Sequence, residues 1–328
     1  MLQYLNMPSP HEPSVVTAVL IGRIGDLLVA GPFLRALRLR YPSARLRLVA
    51  AAQCASAAEI LPWLDERLYL HKVSRLHQNI LLAYNLLKGT HDIVIDLNPA
   101  PSRVSAGIVG AVRAAEKWGF EKERFSSVFT ATVAAAKPDE PMIERYARLA
   151  AALAAPFEAR LEVALTPEHE SAAETLLKDL PAGKRILIHA GNFKKFDNRW
   201  PEEKFAALGQ ALAKKGACVL WLAGPGEQAP VEKIAAQART GTVVSPPSLG
   251  AAGALMKRVF LVICNITGTT HLAAAVGAPT FGLYAGYTNA VWRPRGALHQ
   301  GIVSSDWRSC RDISVESVLR GTFPGSQS

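Results

Sequence analysis

Short β-branched apolar runs alternate along the chain with longer segments of helical period. Val15 to Ile21 is almost wholly apolar and closes on Gly22, the pattern of a strand buried on both faces. An apolar-periodic segment from Leu27 to Tyr41 follows and stops at Pro42, and Arg45 to Ala51 reads as a second strand. Strands are expected near Arg67–Leu70 and His91–Leu97, with a helix over about Arg75–Lys88 between them. Helices follow at about Arg103–Ala114 and Met142–Ala155. Near Pro156 a long alanine-rich helix ends and an alternating stretch, Leu161–Leu165, begins, which places a domain boundary there: residues 1–158 and 159–328. The alternation then restarts: strand Arg185–His189, helix Pro201–Lys215, strand Ala217–Ala223, helix Val231–Thr240, strand Thr242–Val244. Helix Leu249–Lys257, strand Phe260–Cys264, helix Thr269–Val276 and strand Thr280–Tyr284 complete the pattern. Strands alternating with helices in both halves predict an α/β protein of two doubly wound, Rossmann-like parallel domains. Ligands of such sheets sit beyond the carboxyl ends of the strands, so the cleft between the halves is the expected active site.

Composition narrows the class. The 328 residues suit about two domains at ~100–200 residues each. An apolar fraction of 49% with 20% charged residues excludes a disordered chain. Cys54, Cys218, Cys264 and Cys310 are too few and too scattered for a disulfide scaffold or a structural zinc site, which points to a reducing compartment. No secretory signal is expected, because the apolar stretch after the polar first residues is too short. Phe260 to Trp292 carries no Asp, Glu, Lys or Arg, but Asn265, Gly268, Gly277, Pro279 and Gly282 break it, so it reads as buried strand, turn, helix and strand. The expected location is the cytoplasm. A formal charge of +10 favours anionic partners: nucleic acid, an anionic membrane surface or a phosphorylated substrate. A basic bias for solubility is the plainer reading.

Five constellations carry candidate chemistry. Gly22-Arg23-Ile24-Gly25-Asp26 follows the first strand directly. Asp26 there is either a helix cap, worth ~1 kcal/mol, or a general base at the strand's carboxyl end, a role that contributes ~10²–10⁴-fold. The helix N-terminus opposes the second role by favouring the ionised form. Arg35, Arg38, Arg40, Arg45 and Arg47 form either a solvated surface or a clamp for an anionic acceptor. The loop from His189 to Pro201, with Lys194, Lys195 and Arg199, has the composition of a phosphate grip, a solvated basic loop being the alternative. Gly224-Pro225-Gly226-Glu227-Gln228-Ala229 fits the dinucleotide fingerprint, but Val243-Val244-Ser245-Pro246 stands where its acidic residue belongs. Asn265-Ile266-Thr267-Gly268-Thr269-Thr270-His271 places hydroxyls at a helix start, an anion site or an ordinary capped helix.

Together these pieces resemble glycosyltransferase family 9, the heptosyltransferases of the lipopolysaccharide inner core. The resemblance spans nearly the whole chain: Ile21 to Asp26 with Pro32 to Leu37, Arg199-Trp200-Pro201, Thr267 to Ala275, Trp292 to Gly296, and Cys310 to Glu316. It implies a GT-B fold, with an N-terminal acceptor domain, a C-terminal nucleotide-sugar domain, and metal-independent inverting transfer. The chain has no DxD, in agreement. By resemblance Asp26 is the catalytic base. Thr267, Gly268 and His271 match positions lining the donor, and Glu227 the residue that holds its nucleoside; His189, Lys194, Lys195, Arg199 and Thr269 are expected beside them at the donor, and Arg23, Gly25, Arg35 and Arg38 at the acceptor. The implied co-substrate is ADP-heptose or a related nucleotide sugar, with no other cofactor. The implied acceptor is an anionic glycolipid. No amphipathic anchor helix is evident, so contact with the inner membrane surface is expected to be electrostatic.

Two positions depart from the family pattern. Ile266 stands for the Asp before Thr-Gly, and Asn198 for the Lys two residues before Trp-Pro. The usual Gly-Pro-Thr-Asp-Pro loop is replaced by Ala285-Gly286-Tyr287-Thr288-Asn289. A member using another sugar and a nucleotide-sugar-binding protein with weakened catalysis are the alternatives. An oxidoreductase rests only on Gly224-Pro225-Gly226, and nucleic-acid binding only on charge.

Overall fold

The computed structural model describes residues 12–191 and 199–322. The chain divides into two compact units, Met1–Ala159 and Arg160–Ser328. The first contains, in order, β1 (Val15–Leu20), α1 (Ile24–Arg40), β2 (Arg45–Ala51), α2 (Ala55–Glu59), β3 (Glu66–Leu70), α3 (Leu76–Lys88), β4 (Ile93–Asp96), α4 (Arg103–Ala111), β5 (Glu116–Phe120), β6 (Ala131–Val133) and α5 (Met142–Ala152). The second contains α6 (Pro167–Leu177), β7 (Arg185–His189), α7 (Glu202–Lys214), β8 (Cys218–Leu222), α8 (Gln228–Ala238), β9 (Thr242–Val244), α9 (Leu249–Met256), β10 (Leu261–Asn265), α10 (Gly268–Ala275), β11 (Thr280–Tyr284), α11 (Gly286–Trp292), β12 (His299–Val303) and α12 (Val315–Thr322).

Each unit holds a six-stranded sheet in which every pairing is parallel. The orders are β3-β2-β1-β4-β5-β6 and β12-β11-β10-β7-β8-β9. Counted from the first strand of each unit, both are 3-2-1-4-5-6, the doubly wound order of Rossmann sheets. The order reverses between β1 and β4 in one unit and between β7 and β10 in the other. The loops leaving those four strands are therefore where ligands are expected.

Central strands are buried along their length, as the apolar runs require. One face of the first sheet packs Val19, Val49 and Val94 against Leu82 and Leu86 of α3 and Val109 of α4. Near α1, Phe33 stacks on Tyr146 of α5 at 6.1 Å between ring centroids. Trp200, Trp221 and Phe205 anchor the second core, with Trp200 and Phe205 edge-on at 4.8 Å.

The structure departs from the sequence expectations in several places. α1 begins at Ile24, three residues early, and carries Pro32 inside it. An interior proline costs ~3 kcal/mol, and burial of the surrounding Leu27–Leu34 segment outweighs that local cost. α8 begins at Gln228 rather than Val231, because Pro230 sits in its first turn, where a missing N–H is harmless. β5 and β6 are short, partly exposed and of mixed polarity, and gave no periodic signal. Leu161–Leu165 alternates but forms no strand. α3 has Leu76, Ile80, Leu81, Tyr84 and Leu87 facing solvent, so a helix with an exposed apolar stripe is present after all.

Candidate active site

In the first unit the loop leaving β1 is built around Asp26. The Arg23 backbone N–H donates to Asp26 Oδ2 at 2.7 Å, so the carboxylate closes the first turn of α1 on itself. A Cβ on Gly22 would lie 2.7 Å from that oxygen, which explains the glycine: the carboxylate occupies the side-chain space. The Gly22 carbonyl accepts from Gln53 Nε2 at 2.7 Å and Cys54 Sγ at 3.2 Å, fixing the loop from the β2 side. Burial pushes the Asp26 pKa above its ordinary value, while the Arg23 N–H and the Arg23 charge pull the other way. Asp26 is thus a helix-end hydrogen-bond acceptor, and desolvation outweighs the helix end and raises its basicity. Burial also pushes the neighbouring Cys54 thiol up to about 12, which leaves it protonated at neutral pH.

From the β4 side the same loop is held by a buried polar cluster that the sequence reading missed. Asn98 Oδ1 accepts from the Ile21 N–H at 3.2 Å, and Asn98 Nδ2 donates to the Val19 carbonyl at 3.3 Å. Asn98 is itself fixed by Asp96, whose Oδ1 accepts from Asn98 N at 3.0 Å and Asn98 Nδ2 at 2.6 Å. Asp96 Oδ2 accepts from Ser105 Oγ at 3.0 Å and Lys122 Nζ at 2.7 Å. Both partners of that ion pair are inaccessible to water. A polar Asp-x-Asn ending an otherwise apolar strand was the available signal.

Arg23 and Gly25 lie in this loop, Arg23 exposed and Gly25 half-buried. Arg35 and Arg38 do not. At 1.5 Å per residue they stand roughly 14 and 18 Å from Asp26 along α1. Arg35 pairs with Glu158 at 2.8 Å. Arg38 donates to the carbonyls of Trp63, Pro42 and Ala44 at 2.8–3.2 Å and pairs with Asp65. The guanidinium of Arg38 staples the end of α1 to the connection into β3.

In the second unit the candidate residues gather at the carboxyl ends of β7, β8 and β10. His189 ends β7 and is buried, and its Nε2 lies 3.1 Å from Glu227 Oε2. An ionised carboxylate only accepts, so the ring proton belongs on Nε2. Among the described residues the buried His189 Nδ1 has no hydrogen-bond partner. Glu227 Oε2 also accepts from the Gly224 N–H at 3.0 Å, and Gly226 turns the loop with φ +77°. The Gly224–Ala229 stretch follows β8, the second strand of its sheet, rather than the first strand that carries a dinucleotide fingerprint, so the oxidoreductase reading loses its topological basis.

Thr267 caps α10: its Oγ1 accepts from the Thr269 N–H at 3.3 Å, while Thr270 Oγ1 accepts from the Thr267 N–H at 3.3 Å. Thr267, Gly268 and Thr269 are half-buried at this helix end. His271, one turn in, is buried, its Nδ1 has no partner among the described residues, and burial pushes its pKa down to about 4, so it is neutral at physiological pH. Ile266 is half-buried beside them. The β7 and β10 loops are tied together by Asn265, whose Oδ1 accepts from the Trp200 N–H at 3.2 Å, while Trp200 Nε1 donates to the Ile313 carbonyl at 2.9 Å. Arg199 donates to Glu202 at 2.8 Å. Lys194, Lys195 and Asn198 lie outside the described residues. Among the described residues no three His, Cys, Asp or Glu side chains gather as a metal site, and no helix is long and apolar enough to cross a membrane.

The model of glycosyltransferase family 9 (heptosyltransferase) matches residues 81–318, well over half of the chain. The chain belongs to this family. It is a heptosyltransferase-family glycosyltransferase of α/β, GT-B class, and its solved relatives share the fold at low identity. A family 9 glycosyltransferase from Veillonella parvula is 21% identical with a TM-score of 0.80, over 94% of this chain and 96% of that one. The E. coli ADP-heptose lipopolysaccharide heptosyltransferase II is 20% identical with a TM-score of 0.77, over 93% and 97%. An E. coli heptosyltransferase solved with ADP-2-deoxy-2-fluoro heptose is 20% identical with a TM-score of 0.70, over 93% and 98%. No curated protein sequence matches the chain.

Proposed function

We propose that this glycosyltransferase moves a heptose from ADP-heptose to an anionic, lipid-held inner-core acceptor by metal-independent inverting transfer, in the cytoplasm. The observation that carries the reading is Asp26: a carboxylate at the carboxyl end of the first strand, held by one backbone N–H and made more basic by burial. In the proposed step an acceptor hydroxyl gives its proton to an Asp26 carboxylate oxygen as its own oxygen bonds to the anomeric carbon. The bond from that carbon to the diphosphate breaks, and the nucleoside diphosphate leaves with the electron pair.

The leaving diphosphate needs electrostatic stabilisation as its charge develops. The Thr267–Thr269 helix end supplies N–H groups and hydroxyls for it, with Lys194, Lys195 and Arg199 as the cations of the preceding loop. Glu227, steadied by His189 and the Gly224 N–H, is assigned to the ribose hydroxyls. Neutral His271 is assigned to the donor as a hydrogen-bonding group rather than a cation. Ile266 favours a second reading of donor choice, because an apolar side chain at that loop cannot bond a sugar hydroxyl, so a related sugar on the same nucleotide is the alternative substrate.

The test is the Asp26→Asn variant with ADP-heptose and a core acceptor. It should retain the ADP-induced thermal shift of the wild type and lose at least ~100-fold in kcat. Turnover at the wild-type rate would remove the general-base assignment. A thermal shift with UDP or GDP in place of ADP would move the donor to another nucleotide.

A further inference from the structure

α3 is apolar on two sides, and only one of them is used by the fold. Leu82 and Leu86 point into the core of the first unit. Leu76, Ile80, Tyr84 and Leu87 point outward, each more than half exposed, and Leu81 is 60% exposed at the edge of the same face. At about 100° per residue, Leu76, Leu87, Ile80 and Tyr84, with the exposed Ala83, share roughly 100° of helix arc. Large apolar side chains scattered singly over a surface are ordinary, but a contiguous stripe along one helix marks a contact surface. The helix is firmly set: Asn79 exchanges two hydrogen bonds with the His71 backbone, at 2.8 and 3.0 Å.

The surroundings of the stripe identify its partner. Lys72, Arg75 and Lys88 are exposed at its two ends, and no Asp or Glu occurs from His71 to His91. The nearest acids in the sequence are spoken for, Glu66 by Arg45 and Arg47, and Asp92 by Ser14. Lys88 lies over the Tyr84 ring at 4.5 Å and donates to its hydroxyl at 3.0 Å, a pairing with an apolar body and a polar tip, as side chains at a water–lipid boundary have. A second copy of the chain would bring the same cationic, acid-free face and be repelled. An anionic bilayer offers acyl chains to the stripe and phosphates to its ends.

We propose that α3 is an interfacial docking helix, which lies flat on an anionic lipid bilayer with Leu76, Ile80, Tyr84 and Leu87 in the acyl boundary and Lys72, Arg75 and Lys88 among the headgroup phosphates. The electrostatic membrane contact expected from net charge alone thereby gains an apolar anchor and a location. The assignment rests on this face of α3 and stands independently of the donor's identity.

The test uses the full chain and vesicles of phosphatidylcholine with or without about 30% phosphatidylglycerol. Wild type should float with the anionic vesicles at ~0.1 M salt and be released from them as salt rises. Leu76→Ser/Ile80→Ser/Leu87→Ser should weaken binding by ~1000-fold, at about tenfold for each apolar side chain lost. Lys72→Glu/Arg75→Glu should abolish the preference for anionic lipid. Equal binding by the triple variant, or no binding by wild type to either vesicle, would overturn the proposal. So would a lipid-free dimer that the triple variant dissolves, which would assign the face to a second copy. The ADP thermal shift, read on the same preparations, reports the second unit separately, so loss of docking with the shift intact leaves the donor reading standing.

Discussion

Replacing Lys122 by Met tests how the loop carrying Asp26 is held. Methionine keeps the length of the side chain and its packing near Phe129, whose ring lies 5.2 Å from Lys122 Nζ. The backbone of residue 122 stays anchored through Ser126. What disappears is the positive charge of Lys122 beside Asp96, a carboxylate with no exposure to water. Breaking one partner of a buried ion pair costs ~3–5 kcal/mol. The neutral donors that remain on Asp96, Ser105 Oγ and two from Asn98, place the expectation at the lower end, about 3 kcal/mol. For a unit of this size that lowers Tm by roughly 6–12 °C. Scanning calorimetry is the assay, since the two units have separate cores and one optical midpoint would mix them. Removing the charge as well, in Asp96→Asn/Lys122→Met, should return at least half of the loss. A drop in Tm below ~2 °C for the single variant, or a double variant as unstable as the sum of the singles, would refute the reasoning.

Three further outcomes follow from the same geometry. The acid limb of kcat/KM should inflect above pH 3.8, because burial raises Asp26 from that ordinary value and the base must be ionised to work. A limb absent in wild type, or unchanged in Asp26→Asn, would separate the limb from this carboxylate. Gly22→Ala places a methyl group 2.7 Å from Asp26 Oδ2 and should displace the carboxylate, costing about 100-fold in kcat with the donor KM unchanged; an equal rise in donor KM would point to a wider collapse. Arg38→Ala should destabilise the first unit by ~1–3 kcal/mol through the carbonyls and Asp65 it leaves unpaired, with kinetics intact. A higher acceptor KM at unchanged Tm would return Arg38 to the acceptor.

Both parallel sheets were legible, because strands buried on both faces write themselves as unbroken apolar runs, and Val15–Leu20 and Leu261–Asn265 do so plainly. β5 and β6 were not: β6 is a three-residue edge strand, and β5 beside it is partly exposed and of mixed polarity, so neither reads as an apolar run. Asp26 and the Thr267 helix start were legible as loops leaving particular strands. The sign of the shift on Asp26 was not, because it depends on how much protein closes over the carboxylate, which no local pattern records. The partners of Arg38 were not legible either: the carbonyls it meets belong to residues 42–63, brought to it only by the fold. The exposed face of α3 was hidden by its own hydrophobicity, because an apolar residue in a helical pattern is assigned to a core until the position of the sheet is known.

Identical strand order in the two units makes the division of labour a matter of side chains rather than of topology. In each, the first and fourth strands deliver their loops to the point where the order reverses. In the first unit those loops carry Asp26 and Asn98, and the ion pair behind Asn98 stiffens a carboxylate that burial has made more basic. That is the environment of a proton acceptor. In the second unit they carry His189 and the Asn265–Thr269 run, where hydroxyls, helix-end N–H groups and a neutral His271 offer donors to an anion. Glu227, in the loop after β8, is engaged by His189 and the Gly224 N–H. Under the proposed mechanism, exchanging the two loop sets would put a carboxylate against a leaving diphosphate and hydroxyls where a base is needed. That mechanism assigns deprotonation and leaving-group departure, with their opposite electrostatic demands, to separate sheets of one architecture.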